Sequence, residues 1–299
     1  MKDPSVKAAA LSVLSNSILV VLKLVVGLVI GSVSIISEAI HSANDLVAAV
    51  IALFAVKTAS KPPDEEHQYG HGKVENISGT IEALLIFVAA VMIIKEAYDK
   101  LMHGGAVENV GWGIGVMGAA SLANFFVSQY LMKVARETGS IALEADAMHL
   151  RTDVYTSVGV FTGLILLKIT GIQQIDPIAA LLVALIIIKA AYDLTKKAFM
   201  PLIDTALDEE EMAAIKDVLQ EYEDNFIEYH QLRTRRSGRE CHIDLHLVTC
   251  PEMSVRNVHD LCDTIEQKIN DRIPYCNVLI HVEPGESSER CEELRTNED

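Results

Sequence analysis

Aromatic residues are scarce in this chain, 5% of its 299 positions with a single tryptophan, and the first cysteine is Cys241. The long segment before Cys241 therefore cannot be a disulfide scaffold. The five cysteines that follow (Cys241, Cys250, Cys262, Cys276, Cys291) are odd in number and form no C-x-x-C pair. That spacing supports neither a disulfide framework nor a zinc ribbon, and free thiols in a reducing compartment are the expectation. Surplus positive charge is missing as well. With 25 Lys+Arg against 41 Asp+Glu the formal net charge is −16, which excludes a nucleic-acid binder, because that needs a basic face.

Charge is also unevenly spread. Residues 204–299 hold 10 of the basic and 24 of the acidic side chains, so residues 1–203 are nearly neutral. An apolar, almost uncharged two-thirds followed by a strongly acidic third is not one soluble domain, nor a disordered chain. A membrane-crossing helix needs about 20 mostly apolar residues. Six stretches qualify: roughly 8–30, 34–58, 74–97, 109–132, 145–169 and 176–197. Met1 to Lys7 ahead of an apolar run has the look of a signal peptide, but no small-residue cleavage site follows, so an uncleaved first helix is expected. Gly31-Ser32, Lys61-Pro62-Pro63, Gly104-Gly105 and Gly171 to Pro177 punctuate the series. Lys57, Lys61, Lys73, Lys133, Arg136, Lys196 and Lys197 gather on one side, which by the positive-inside rule puts both termini in the cytosol.

After Pro201 the pattern becomes helix, strand, strand, helix, strand, a ferredoxin-like αββαβ layer. The expected organisation is a transport domain over 1–203, a cytosolic domain over 204–285 and a polar tail over 286–299.

Ionisable groups at bilayer depth are costly, so those present point to function. The second helix reads Glu38-Ala39-Ile40-His41-Ser42-Ala43-Asn44-Asp45, and the fifth reads Asp146-Ala147-Met148-His149-Leu150-Arg151-Thr152-Asp153. Both are acid-Ala-x-His-x-x-x-Asp. His and Asp four apart share one helix face, about 6 Å apart along the axis. Two such faces brought together offer His41, Asp45, His149 and Asp153, an N/O set suited to a tetrahedral divalent cation, zinc above all. Glu38 and Asp146 read as entrance or supporting groups. Asp64, His67 and His71 in the loop after the second helix suit another cation or a solvated polar loop. In the acidic domain, alternation puts His242, Asp244 and His246 on one face of a strand, opposite Ile243, Leu245 and Leu247. His281 and Glu283 share a face on another strand, with His230 and His259 on neighbouring elements.

These motifs, in this order, resemble the cation diffusion facilitator family of six-helix divalent-metal exporters. The resemblance spans about residues 7–285. It rests on the two His-x-x-x-Asp pairs, on His67-Gln-Tyr-Gly-His-Gly-Lys-Val-Glu75, on Glu228-Tyr-His-Gln-Leu-Arg-Thr-Arg-Arg-Ser-Gly238 and on Leu279-Ile-His-Val-Glu-Pro284. It implies a transport site at His41, Asp45, His149 and Asp153, and a loop site at Asp64, His67 and His71. It further implies cytosolic sites at His230, His246, His259, His281 and Glu283, the last standing where the family has Asp; His242 has no family counterpart. A homodimer with a charge interlock at Lys73 and Asp204 is implied as well. The protein is then no enzyme and needs no catalytic cofactor. It exchanges divalent ions, Zn2+ first with Cd2+, Co2+ or Fe2+ admitted, for protons across a plasma (inner) membrane. The rival readings are a membrane-anchored metal sensor or scaffold, and the same fold exporting mainly Mn2+ or Fe2+. An intramembrane metalloenzyme is disfavoured, because no H-E-x-x-H occurs and four ligands leave no open position for water.

Overall fold

The structure, a computed structural model, describes residues 3–103, 111–170, 172 and 174–286. Gly104-Gly105, Gly171, Cys291 and the tail from 287 lie outside the described residues. The chain divides into two units, Met1–Phe199 and Met200–Asp299.

The first unit holds six long helices: α1 (Pro4–Ile30), α2 (Val33–Ala59), α3 (Lys73–His103), α4 (Gly111–Thr138), α5 (Ile141–Thr170) and α6 (Ile175–Phe199). Their ends are chemically marked. Asp3 caps α1 by accepting from Ser5 N–H, with Pro4 supplying the first-turn φ. Gly31, at φ 68°, closes α1, and the side chain of Ser32 opens α2 at once by accepting from Ile35 N–H. So short a turn forces α1 and α2 to pack antiparallel. Gly139 (φ 68°) and Ser140, which accepts from Leu143 N–H, repeat the device between α4 and α5.

Side chains in this unit invert the pattern of a soluble protein. Ala49, Ala52, Ala83, Ala90, Ala145 and Ala184 are completely buried, whereas Leu14, Ile18, Val25, Phe54 and Leu182 are exposed. Small residues inside let helices approach where lipid supplies no hydrophobic drive, and large ones outside meet the acyl chains. Among the described residues, Pro4–Ile30, Glu38–Ala59, Lys73–His103 and Pro177–Ile203 are long and apolar enough to cross a membrane. The first half of α5 is more charged, carrying Glu144, Asp146, Arg151 and Asp153.

Two polar ties set the pitch of α5 and α6. The carboxylate of Glu75, buried at the start of α3, accepts from Ser140 Oγ and from Ala142 N–H, so that α3 supplies an anion to the N-terminus of α5. Asn76 Nδ2 donates to Ala198 O at 3.1 Å, joining α3 to α6.

The second unit packs α7 (Glu209–Glu221) and α8 (Val255–Arg272) on a sheet of β1 (Glu228–Ser237), β2 (Glu240–Thr249) and β3 (Cys276–Pro284). The order is β1-β2-β3, with β1 antiparallel and β3 parallel to β2. Ile215, Val218, Leu219, Ile243, Leu245 and Ile265 form its core. The expectation of free thiols is corrected here. Cys241 and Cys276 are register partners at the start of β2 and β3, and they form a disulfide with Cα atoms 4.5 Å apart. Cys250 is disulfide-bonded too, while Cys262 is a free thiol whose pKa burial pushes up. Linear spacing hid the first bridge because its 35-residue separation closes only through the parallel strand register.

The tight helix contacts make a testable point. A Cβ on Gly79 would stand 2.8 Å from Ile141 Cγ2 and 3.3 Å from Ala198 Cβ, whereas one on Gly115 would meet nothing within 4 Å. Gly79→Val is expected to destabilise the bundle by about 1–3 kcal/mol through overpacking, and Gly115→Ala to leave it unharmed. Thermal unfolding of the solubilised full chain measures both; equal midpoints for the two variants would refute the packing account.

Candidate metal centre

On α2, His41 and Asp45 are one turn apart; on α5, His149 and Asp153 are likewise. Packing of the two helices brings all four together. Asp45 is almost fully buried, and its Oδ1 lies 3.2 Å from His149 Nε2 and 4.0 Å from His41 Nε2. His41 Nε2 lies 3.8 Å from Asp153 Oδ1. One ligand atom each from His41, Asp45 and Asp153 falls within 4.8 Å of the others, and His149 joins them through Asp45. Three ligand atoms, from one imidazole and two carboxylates, thus gather together, and the His149 imidazole adjoins them at Asp45, with oxygen and nitrogen donors only.

The cluster lies in the wall of a cavity of about 400 Å³ that runs past Glu38 and Met92 to Glu96 and Lys100 on α3. It therefore opens toward the end of the bundle that carries the α1–α2 turn. On the other side of the site, Leu131, Leu143, Leu150 and Val56 are packed and buried. The cavity reaches the site from the first of these two sides.

Two further polar residues adjoin the cluster. Asn124 of α4 donates from Nδ2 to Asp153 Oδ2 at 3.4 Å and lines the same cavity. Lys23 of α1 donates to Ser42 Oγ and Glu38 Oε2. Lys23 is a charged residue in an apolar stretch, which the depth criterion applied to His and Asp also picks out, whereas Asn124 is uncharged and has Ser121 and Ser128 on the same helix. Asp146, in contrast, is fully buried, with the Ser12 hydroxyl as the polar group beside it. Glu82 on α3 is equally buried, donated to by Ser78 Oγ at 3.3 Å. Glu38 lines the cavity, as an entrance group would.

The loop cluster forms as well. Asp64 Oδ1 accepts from the backbone N–H groups of Glu66 and His67, and its two oxygens lie 3.3 Å from His67 Nδ1 and 3.2 Å from His71 Nε2. The His67 N–H, more than the neighbouring imidazole charges, holds the Asp64 carboxyl below its ordinary pKa.

In the second unit, His230, His246 and His281 are successive register partners across β1, β2 and β3. They form a row on the face opposite the core. Glu283 sits among them: its oxygens lie 2.9 Å from His246 Nδ1, 3.3 Å from His230 Nε2 and 3.8 Å from His281 Nε2. A bulge makes the row possible. His230 pairs with His246 but Arg233 with Asp244, and Gln231 between them takes φ 51°. Strict alternation would have turned Leu232 to the histidine face. His259 stands apart on α8, 3.3 Å from Asp263, and His242 is buried in β2. Asp204 lies 3.6 Å from Arg235 within the second unit, while Lys73 opens α3 in the first.

The cation efflux transmembrane domain model matches residues 9–203, and the cytoplasmic domain model of cation efflux proteins matches 207–285. The chain belongs to the cation diffusion facilitator family. It is a membrane-embedded cation-efflux transporter and not an enzyme. An uncharacterized transporter of Synechocystis is 36% identical over 265 residues, 89% of this chain and 86% of that one. The cation-efflux pump FieF of Serratia proteamaculans is 32% identical over 280 residues, 93% of each chain. A solved structure of CzrB in its zinc form is 36% identical over 29% of this chain and 99% of its own, at a TM-score of 0.26.

The loop carboxylate has a definite pH signature. Its folded pKa is depressed, so its contribution is complete above the ordinary value of about 3.9 and is lost only as pH falls through the lowered one. The His67 amide is therefore expected to stay protected from exchange between pH 7 and about pH 4. Loss of protection well above that window would mean that imidazole, not carboxylate, holds the turn.

Proposed function

We propose that the protein exports a divalent metal, Zn2+ foremost, from the cytosol in exchange for protons, with His41, Asp45, His149 and Asp153 as the transport site. The observation that carries this reading is the gathering of His41, Asp45 and Asp153 from α2 and α5 in the wall of one cavity, with His149 3.2 Å from Asp45. Imidazole suits zinc, cadmium and cobalt better than the hard cations that prefer oxygen alone. Metal binds neutral histidine and ionised aspartate, so loading displaces protons and proton uptake releases metal. Access from one end is one half of an alternating cycle. Moving the α2–α5 pair against its neighbours would open the packed side around Leu143 and Leu150 and close the other.

The row of His230, His246 and His281 around Glu283, and the loop group Asp64, His67 and His71, are read as further metal sites. His259 is carried as a further cytosolic ligand. The assembly is a homodimer in the plasma (inner) membrane with both termini cytosolic, Lys73 and Asp204 serving as its charge interlock. The basic residues Lys57, Lys61, Lys133, Arg136, Lys196 and Lys197 support that orientation.

Proteoliposomes with a trapped pH dye test the proposal. Zinc uptake should release protons, and Asp153→Ala should weaken transport about 100-fold, the equivalent of roughly 3 kcal/mol for the loss of one charged ligand. His41→Asp should shift preference from zinc toward manganese. Zinc flux that survives Asp153→Ala would sink the site assignment, and flux without proton movement would sink the exchange.

A further inference from the structure

Two lysines line a cavity that cations are read to travel through. Lys100 stands at the mouth, 3.0 Å from Glu96 one turn away on the same helix. Lys23 is different. It is 6% exposed, deep in the bundle, and its ammonium is 2.8 Å from Ser42 Oγ and 3.3 Å from Glu38 Oε2. Burying an ammonium ion at bilayer depth costs several kcal/mol unless it is paired. Its partners are four residues apart on α2, on either side of His41, so Lys23 grips the helix that carries half of the ligands.

The charges explain why such a group sits there. Metal binding requires ionised carboxylates and neutral imidazoles. In that state Asp45 and Asp153 supply two negative charges and Glu38 a third, while Lys23 supplies one positive. Among the cavity-lining groups the ion pair cancels Glu38, as Lys100 cancels Glu96, leaving the two charges of Asp45 and Asp153 to match one divalent ion. Glu38 is also within reach of that ion. It lies three residues before His41, so the two side chains emerge about 5–6 Å apart on neighbouring positions of one face, and its carboxylate is partly open to the cavity.

We propose that Lys23 is a positioning residue that holds Glu38 away from the transported ion, preventing it from becoming a fifth, oxygen ligand. Two consequences follow from the chemistry. Withholding an extra carboxylate keeps the ion releasable, which sets turnover. It also keeps the donor set rich in nitrogen, which disfavours hard cations such as Mn2+. The inference rests on the transport-site reading above.

Transport kinetics of the full chain in proteoliposomes, with Zn2+ and Mn2+ as the probes, test it. Lys23→Met should lower KM about tenfold and lower kcat with it, because the freed Glu38 tightens binding and slows release. The manganese-to-zinc ratio should rise. Glu38→Gln added to Lys23→Met should return both parameters to those of the unmodified protein, and Lys23→Arg should leave them there. Unchanged kinetics in Lys23→Met, or a double variant no better than the single one, would overturn the proposal. Should Lys23→Met fail to fold, Glu38→Gln alone decides: the uncancelled ammonium should raise KM for zinc about tenfold, and an unchanged KM overturns the role. Asp153→Ala separates the two readings. If it still transports, the transport site is misplaced; if it is dead while Lys23→Met is unaffected, only the lysine inference fails.

Discussion

A carboxylate carried into the middle of a bilayer has no water to turn to, so it must find a partner within the protein. Asp45 is nearly fully buried and meets His149 at 3.2 Å, and that contact decides how α2 and α5 face each other. His41 and Asp153 then fall into place, because each lies one helical turn from a member of the central pair. Asn124 fixes the outer oxygen of Asp153, and Lys23 fixes Glu38 and Ser42. The bundle is thus organised around one polar knot, and the alanine-rich interfaces exist to let helices come close enough to tie it.

The same demand shapes the supports. Glu75 is buried, and it answers the exposed N–H groups at the start of α5. A helix so anchored at its N-terminus holds His149 and Asp153 two and three turns further on at a set angle. Asp146 and Glu82, by contrast, are fully buried beside serine hydroxyls, Ser12 and Ser78.

Much of this was legible in the linear chain, and the reason is periodicity. A helix repeats every 3.6 residues, so His-x-x-x-Asp announces a shared face without any knowledge of the fold. Strand alternation likewise separated His246 from Leu245 and Leu247 correctly. Reading failed where partners are distant. The Cys241–Cys276 bridge depends on a parallel register that no spacing rule encodes. The bulge at Gln231 breaks the very alternation on which the reading of β1 would rest. Lys23 has no second charged residue one turn away to form a pattern with, and Asn124 carries no charge to mark it among its polar neighbours.

The amino-acid order by itself determined the division into an apolar and an acidic part, six long helices, an αββαβ layer and two ligand-bearing helix faces. All of these are local properties, set by side-chain polarity and by the period of the element that carries it. Only the tertiary structure decided that the two faces meet, that the site opens toward one end, and that three histidines line up across three strands around Glu283. Those outcomes depend on helix packing angles and strand register, which arise from contacts between segments a hundred residues apart in the cases of Asp45 with His149 and of Asn76 with Ala198.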